Sequence, residues 1–145
     1  MIVGLGSDVV QSARIGAAWA RFGERFLNRV LHPDERVAWQ GRFDAVEAVR
    51  PPKDWALASL QEQAAVAWLA RRFAAKEAAA KALGTGLGAT TSWRDIVVLN
   101  DGNGRPRLRF EGGAARRAEV LGTMRMHVTL SDDAGVAFAV VVLEA

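Results

Sequence analysis

From Leu60 to Leu83 nothing interrupts an α-helix: the stretch contains neither Pro nor Gly and is built largely of Ala, Leu, Glu, Gln, Lys and Arg, all strong helix formers. Gly84 follows it, a residue suited to the left-handed conformation that closes many helix ends. At about 100° per residue, Val66, Leu69, Phe73 and Ala80 fall on one stripe, with Glu77 about 40° from Phe73. A carboxylate beside an apolar stripe is costly unless a cation or hydrogen bonds compensate it. Lys81, one turn on, is a candidate partner. An ordinary helix salt bridge is one reading of that pair, and a functional site is the other.

The 145 residues are half apolar, enough for a core in one domain spanning 1–145. Charges break every apolar run well short of the ~20 residues of a membrane span. The first residues lack the basic segment and apolar core of a secretory signal. Without Cys, disulfides, thiolate metal sites and thiol nucleophiles are excluded, and a cytoplasmic protein is the expectation. The pI is near 10.2, but the formal net charge is only +3. Such a balance suits an acidic carrier protein or a phosphorylated cofactor and does not require nucleic acid.

Met1 to Val10 is an apolar, strand-like run thinned by Gly4 and Gly6. Its one charge, Asp8, reads either as a strand-end residue serving nearby backbone or as a ligand for a hard cation. Gly4-Leu5-Gly6 is a poor dinucleotide fingerprint, because the third glycine is missing and no acid ends a second parallel strand ~20 residues on. Ser12 is a candidate N-cap for a helix running to Gly23, with Ile15, Trp19 and Phe22 at core spacing and Arg14 and Arg21 projecting. His32-Pro33-Asp34-Glu35 starts another helix, with Pro33 in its first turn, and His32 itself reads as a surface loop residue. Pro51-Pro52 interrupts any helix there, and Arg50 to Asp54 reads as a loop or short insertion.

After the long helix, Gly84 to Gly88 is a backbone-rich loop. Such loops present N–H groups to phosphates, but a P-loop precedes its helix and ends in Gly-Lys-Ser/Thr. The basic reading is therefore a C-cap and turn, to which phosphate contact is an addition. Trp93–Asn100 and Pro106–Glu111 read as strands joined by a turn at Asp101–Gly104. Ala114–Leu121 reads as a short helix, His127–Ser131 as an alternating strand, residues 132–135 as a turn and Val136–Leu143 as buried sheet. The expected class is α+β, an antiparallel sheet packed on a long helix.

Three separated features stand together: Gly4-Leu5-Gly6-Ser7-Asp8, the block from Phe73 through Lys76-Glu77 and Lys81 to Gly86, and His127-Val128-Thr129-Leu130-Ser131-Asp132. In that order they resemble the small bacterial holo-acyl-carrier-protein synthases of the 4′-phosphopantetheinyl transferase superfamily. The resemblance runs over nearly the whole chain, through Arg14-Ile15, Val30 to Glu35 and Val98 to Pro106. It implies transfer of 4′-phosphopantetheine from coenzyme A to a serine of an apo acyl carrier protein, release of adenosine 3′,5′-bisphosphate, and a need for Mg2+. The matching positions imply Asp8 and Glu77 as metal ligands. They also imply Glu77, or a metal-bound water it positions, as general base, and Lys81 at the pyrophosphate or leaving group. They further imply coenzyme A contacts from Arg72 and His127, with close backbone approach at Gly84, Thr85 and Gly86. Arg14 and Arg21 would face the acidic carrier helix. Lys76 points to a different helix face from Glu77 and is a weaker candidate. Family members of this size are commonly homotrimers with sites between subunits, which implies a trimer here.

These residues suit that chemistry, because magnesium takes one or two protein carboxylates and leaves positions for phosphates and water. Phosphoryl transfer needs positioning and electrostatics rather than a covalent enzyme intermediate. Gln11 stands where the family often has Glu, which weakens any third carboxylate at the metal. Arg42 to Gln63 is longer and more hydrophobic than the family suggests, and lies where it would reshape an entrance. A basic RNA-binding domain is a different reading, but its arginines are dispersed and no aromatic stacking strip is evident. A non-catalytic scaffold that binds coenzyme A or a carrier is another, and Asp8, Glu77 and Lys81 argue against it.

Overall fold

The computed structural model describes residues 1–44 and 49–145. In chain order the elements are β1 (Ile2–Gln11), α1 (Ser12–Phe22), α2 (Glu24–Val30), α3 (Pro33–Phe43), α4 (Leu60–Leu83), β2 (Ile96–Asn100), β3 (Pro106–Phe110), α5 (Gly112–Val120), β4 (Arg125–Asp133) and β5 (Val136–Glu144). Short 3-10 turns occupy Trp55–Leu57 and Trp93–Asp95. The strands β1, β5 and β4 form one antiparallel sheet in that order, and β2 and β3 form a separate antiparallel hairpin. The α+β class and the antiparallel sheet packed on a long helix are as the sequence implies.

Helix α4 has the expected bounds. Ser59 and Glu62 form a capping box at its start, and Gly84 closes it at φ 71°. The single apolar stripe is where the expectation fails. Ala65, Trp68, Ala70, Ala74, Ala78 and Ala82 are buried along with Val66 and Leu69, whereas Phe73 is only half-buried. The helix is enclosed because it lies against the inner face of the sheet on one side and against α1, α5 and β2 on others. Two glycines make the sheet contact possible. A methyl group at Gly4 would overlap the Ala82 carbonyl oxygen, and one at Gly6 the Ala78 carbonyl oxygen. The Gly-Leu-Gly that fails as a nucleotide fingerprint is thus a landing strip for the helix.

Several local expectations change. Helix α2 goes unmarked by the sequence pattern; Gly23, at φ 55°, separates it from α1, and it buries Leu27 and Val30. Ser12 is the buried first residue of α1, and Gln11 holds the N-cap position without a side-chain cap bond. His32 caps α3: its Nδ1 accepts from the Asp34 amide at 3.1 Å, and its Nε2 meets Glu111 Oε2 at 3.1 Å. Trp93 belongs to a 3-10 turn, α5 starts at Gly112, and Asp132 and Asp133 extend β4. Of the long segment before α4, residues 45–48 lie outside the described residues; Pro52 is buried, and a Cβ on Gly16 would stand 3.3 Å from the Trp55 ring.

An aromatic cluster of Trp19, Trp39, Phe43 and Trp68 joins α1, α3 and α4, with Trp19 and Trp39 edge-on at 5.2 Å between centroids. The outer face of the sheet is different. Leu5, Val9 and Phe138 are exposed there beside half-buried Val140 and Val142, and nothing among the described residues covers them. Because the Gly6 contact is with backbone, Gly6→Ala should lower unfolding stability by about 1–3 kcal/mol or more. Gly41→Ala in α3, where nothing lies within 4 Å, should be neutral or stabilising by about 0.5–1 kcal/mol. Denaturant melts of the two variants test this, and equal effects would contradict the packing role of Gly6.

Candidate active site

The close approach of β1 to α4 fixes the polar cluster. Gly4, Gly6, Asp8 and Val10 alternate onto the inner face. Gly4 meets the turn at Ala82 and Gly6 the turn at Ala78, so Asp8 arrives beside Glu77. Lys81 closes the group, its Nζ donating to Asp8 Oδ1 and to the Ser7 carbonyl oxygen, both at 2.9 Å. The cation's partner is therefore the strand carboxylate. Among the described residues Glu77 forms no ion pair, so the simple Glu77–Lys81 helix bridge is absent. Burial pushes the Glu77 carboxyl above its ordinary pKa; Asp8 adds to the rise, and Lys81 and Arg14 oppose it. Arg14, exposed on α1, is thus electrostatically part of the same neighbourhood.

The other expected residues are distributed unevenly. Gly84, Thr85 and Gly86 lie just beyond Lys81, but their amides all donate to the Ala80 or Lys81 carbonyls. What this loop offers a phosphate is space without side chains, not free N–H groups. Arg72 is 4% exposed, with its guanidinium 3.3 Å from the Trp68 ring centroid and bonded to Asn100 Oδ1 at 3.0 Å. It sits in the interior, away from Asp8, and its Nε has no hydrogen-bond partner. His127 lies on the outer face of the sheet in register with Val142 and Leu5, the face opposite Asp8, and its Nε2 meets Glu144 Oε2 at 2.7 Å. One chain does not bring His127 to the carboxylates. Arg21 is exposed farther along α1, against the ring of Phe22.

Sequence reasoning missed two features. A groove of about 370 Å³ runs beside the site, lined by Ala18, Phe22, Arg25, Phe26, Arg29, Val30, Phe73 and Trp93. It depends on α2, whose short amphipathic pattern was masked by the break at Gly23. The second feature is Lys76, which is fully buried and pairs with buried Glu35 at 2.5 Å. Its polar partners are distant in the chain, and an isolated Lys in an alanine run gives no sign of them.

Among the described residues no group of three or more His, Cys, Asp and Glu side chains is placed to hold a metal. The donor set near Glu77 is two carboxylates, which fits a hard divalent cation whose remaining positions are filled by phosphate oxygens and water. A soft or imidazole-seeking metal would find no ligands there. No helix among the described residues is long and apolar enough to cross a membrane.

A carboxyl raised on folding binds its proton more tightly in the folded state. Its contribution to stability is therefore complete below the unfolded pKa, about 4.3, and is lost as pH rises through the folded value. Ionised Glu77 accordingly destabilises the metal-free protein at neutral pH. Glu77→Gln should raise the metal-free melting temperature there, and the difference should vanish as the pH falls to about 4. Thermal melts in a chelator across pH test this, and a lower neutral-pH melting temperature for the variant would contradict it.

Comparison with known proteins identifies the family. A model of the 4′-phosphopantetheinyl transferase superfamily matches residues 4–139. The holo-[acyl-carrier-protein] synthase of Methylobacterium sp. (strain 4-46) is 46% identical, with 100% of this chain and 96% of that protein covered. The crystal structure of the Neisseria meningitidis holo-[acyl-carrier-protein] synthase superposes with a TM-score of 0.78 at 30% identity, covering 100% of both chains. That of the Bacillus anthracis holo-(acyl-carrier-protein) synthase, in complex with CoA (3′,5′-ADP), gives 0.70 at 32% identity and covers 100% of this chain and 98% of that one. The chain belongs to the 4′-phosphopantetheinyl transferase superfamily, among the holo-[acyl-carrier-protein] synthases.

Proposed function

We propose that this chain, as one transferase domain over 1–145, moves the 4′-phosphopantetheine arm of coenzyme A to a serine of an apo acyl carrier protein at the Asp8–Glu77–Lys81 cluster. The reading rests on one observation: the folding of β1 against α4 puts Asp8, Glu77 and Lys81 together beside an arginine-lined groove. Asp8 and Glu77 would hold Mg2+, which when bound offsets pyrophosphate charge and polarises the phosphoryl group. Lys81 has two of its three N–H groups on Ser7 and Asp8, and the third is available to a pyrophosphate oxygen. The serine oxygen forms a bond to the phosphorus that carries pantetheine. The bond from that phosphorus to the bridging oxygen breaks, and the oxygen leaves with adenosine 3′,5′-bisphosphate. The serine proton passes to Glu77 or to water it orders. Gly84 to Gly86 leave room for the pyrophosphate.

Arg14, Arg21, Arg25 and Arg29 give the groove and its approach one sign of charge. An acidic carrier helix complements it, with attraction acting on encounter more than on chemistry. Fatty-acid synthesis in the cytoplasm is the setting that supplies such a carrier. Incubation with coenzyme A, Mg2+ and a panel of apo carriers should give the phosphopantetheine mass increment on the carrier. Loss of the increment with Glu77→Gln at saturating metal is expected. Unchanged turnover in that variant would remove Glu77 from catalysis, and no increment with any carrier would favour a binding scaffold.

Two observations support assembly with sites between subunits, which the family resemblance implies is a homotrimer. The uncovered apolar face of the sheet is suited to burial against another copy, and His127 on that face needs a second chain to approach Asp8 and Glu77. There it would meet the nucleotide end of coenzyme A, and Arg72, if its guanidinium is released from Trp68, would do so as well. Mixing inactive Glu77→Gln subunits with inactive His127→Ala subunits should restore turnover. Failure of mixed oligomers to recover activity, where light scattering shows that they form, would place His127 and Glu77 in one chain's site or remove His127 altogether.

A further inference from the structure

We propose that Lys76 is a positioning residue for the carrier protein: its buried ammonium ties the two rims of the arginine-lined groove to the helix that carries Glu77. This rests on the reading above that the carrier docks in that groove. Lys76 Nζ donates to the Val30 carbonyl oxygen at 2.7 Å, to the Trp93 carbonyl oxygen at 2.9 Å and to Glu35 Oε1 at 2.5 Å. All three of its donors are used. Val30 ends α2, the helix whose Arg25, Phe26 and Arg29 line one rim. Trp93 forms the other rim, its ring 4.4 Å from that of Phe73 on the groove floor. Phe73 stands one turn before Glu77 on α4. The carboxylate is held in turn: Glu35 accepts from the His32 amide at 2.9 Å and from the Val98 amide at 3.2 Å.

Neither Lys76 nor Glu35 is exposed, so neither touches a docked protein, and any effect on the carrier acts through the rims. A buried ion pair adds little net stability over well-packed apolar side chains. What it adds here is direction, because an ammonium bonded to two main-chain carbonyls fixes both rims against α4 in a way no apolar side chain does. Rims held in place before docking spare the carrier the cost of ordering them, so the effect falls on carrier affinity rather than on the transfer step.

The test is steady-state kinetics of Lys76→Gln with coenzyme A and an apo carrier, after thermal melting has shown that the variant folds. A shorter neutral amide keeps a donor for Glu35 but does not reach both rims. The carrier KM should rise about tenfold, while the KM for coenzyme A and the kcat at saturating carrier stay within about twofold. An unmoved carrier KM, or a loss shared equally by both substrates, overturns the proposal. Glu35→Gln leaves the buried ammonium without its counter-charge but keeps its bonds to both rim carbonyls, so once melting shows that it folds it should leave the carrier KM within about twofold. It decides the matter if Lys76→Gln does not fold, and a tenfold rise in it overturns the proposal. Wild-type protein in the same assay separates the two levels: no mass increment on any apo carrier overturns the functional reading and this proposal with it, whereas an active wild type leaves only the role of Lys76 in question.

Discussion

The contact between two glycines of β1 and the backbone of α4 is the constraint on which the rest of the molecule depends. Side chains ordinarily hold a helix and a sheet apart. With hydrogen in place of Cβ at Gly4 and Gly6, the strand reaches the carbonyl oxygens of Ala82 and Ala78. Alanine on the helix is the matching half of that fit. The result is a long helix enclosed by the protein, and a strand carboxylate delivered to the helix carboxylate that adjoins Ala78, the Gly6 contact. A larger residue on either side would separate the elements and with them Asp8 and Glu77.

Holding those two carboxylates together opposes folding, since burial and mutual repulsion both disfavour the ionised Glu77. Lys81 answers only part of this, because it binds Asp8 and remains half exposed. The deeper pair behaves in the opposite manner. Glu35 and Lys76 are wholly buried yet satisfied by main-chain partners from α2, the capping residue His32, β2 and the turn at Trp93. One helix therefore carries a compensated charge facing inward at position 76 and an incompletely compensated one at position 77. Neighbouring residues on a helix diverge by about 100°, which is how a structural ion pair and a reactive carboxylate are adjacent in sequence without sharing an environment.

Much of this was legible in the chain and some of it was not, for identifiable reasons. The bounds of α4 followed from an unbroken run of helix formers and a closing glycine. The turn at Asp101–Gly104 followed from glycine placement, β4 from alternation and β5 from a nearly continuous apolar run. Asp8, Glu77 and Lys81 were found as a constellation because the motifs around them resemble one family; their types and spacing alone left an ordinary salt bridge open. Enclosure of α4 was hidden because alanine carries too little hydropathy to mark a face as buried, and two glycines on a distant strand decide the matter. Helix α2 was hidden by brevity and by Gly23. The burial of Arg72 and Lys76 was hidden because Asn100, Glu35 and two main-chain carbonyls, their partners outside α4, are brought to them only by the tertiary fold.

The closing loop of α4 has a consequence for how an anion is recognised. Its three amides are spent on the final carbonyls of the helix, so they form no ring of fixed dipoles around an incoming phosphate. Fixed dipoles select by shape, whereas an ammonium on a flexible stem selects by charge and accepts several geometries. The pyrophosphate site is therefore a forgiving clasp, and discrimination between molecules that share that group has to be made farther out, along the groove and across the uncovered sheet.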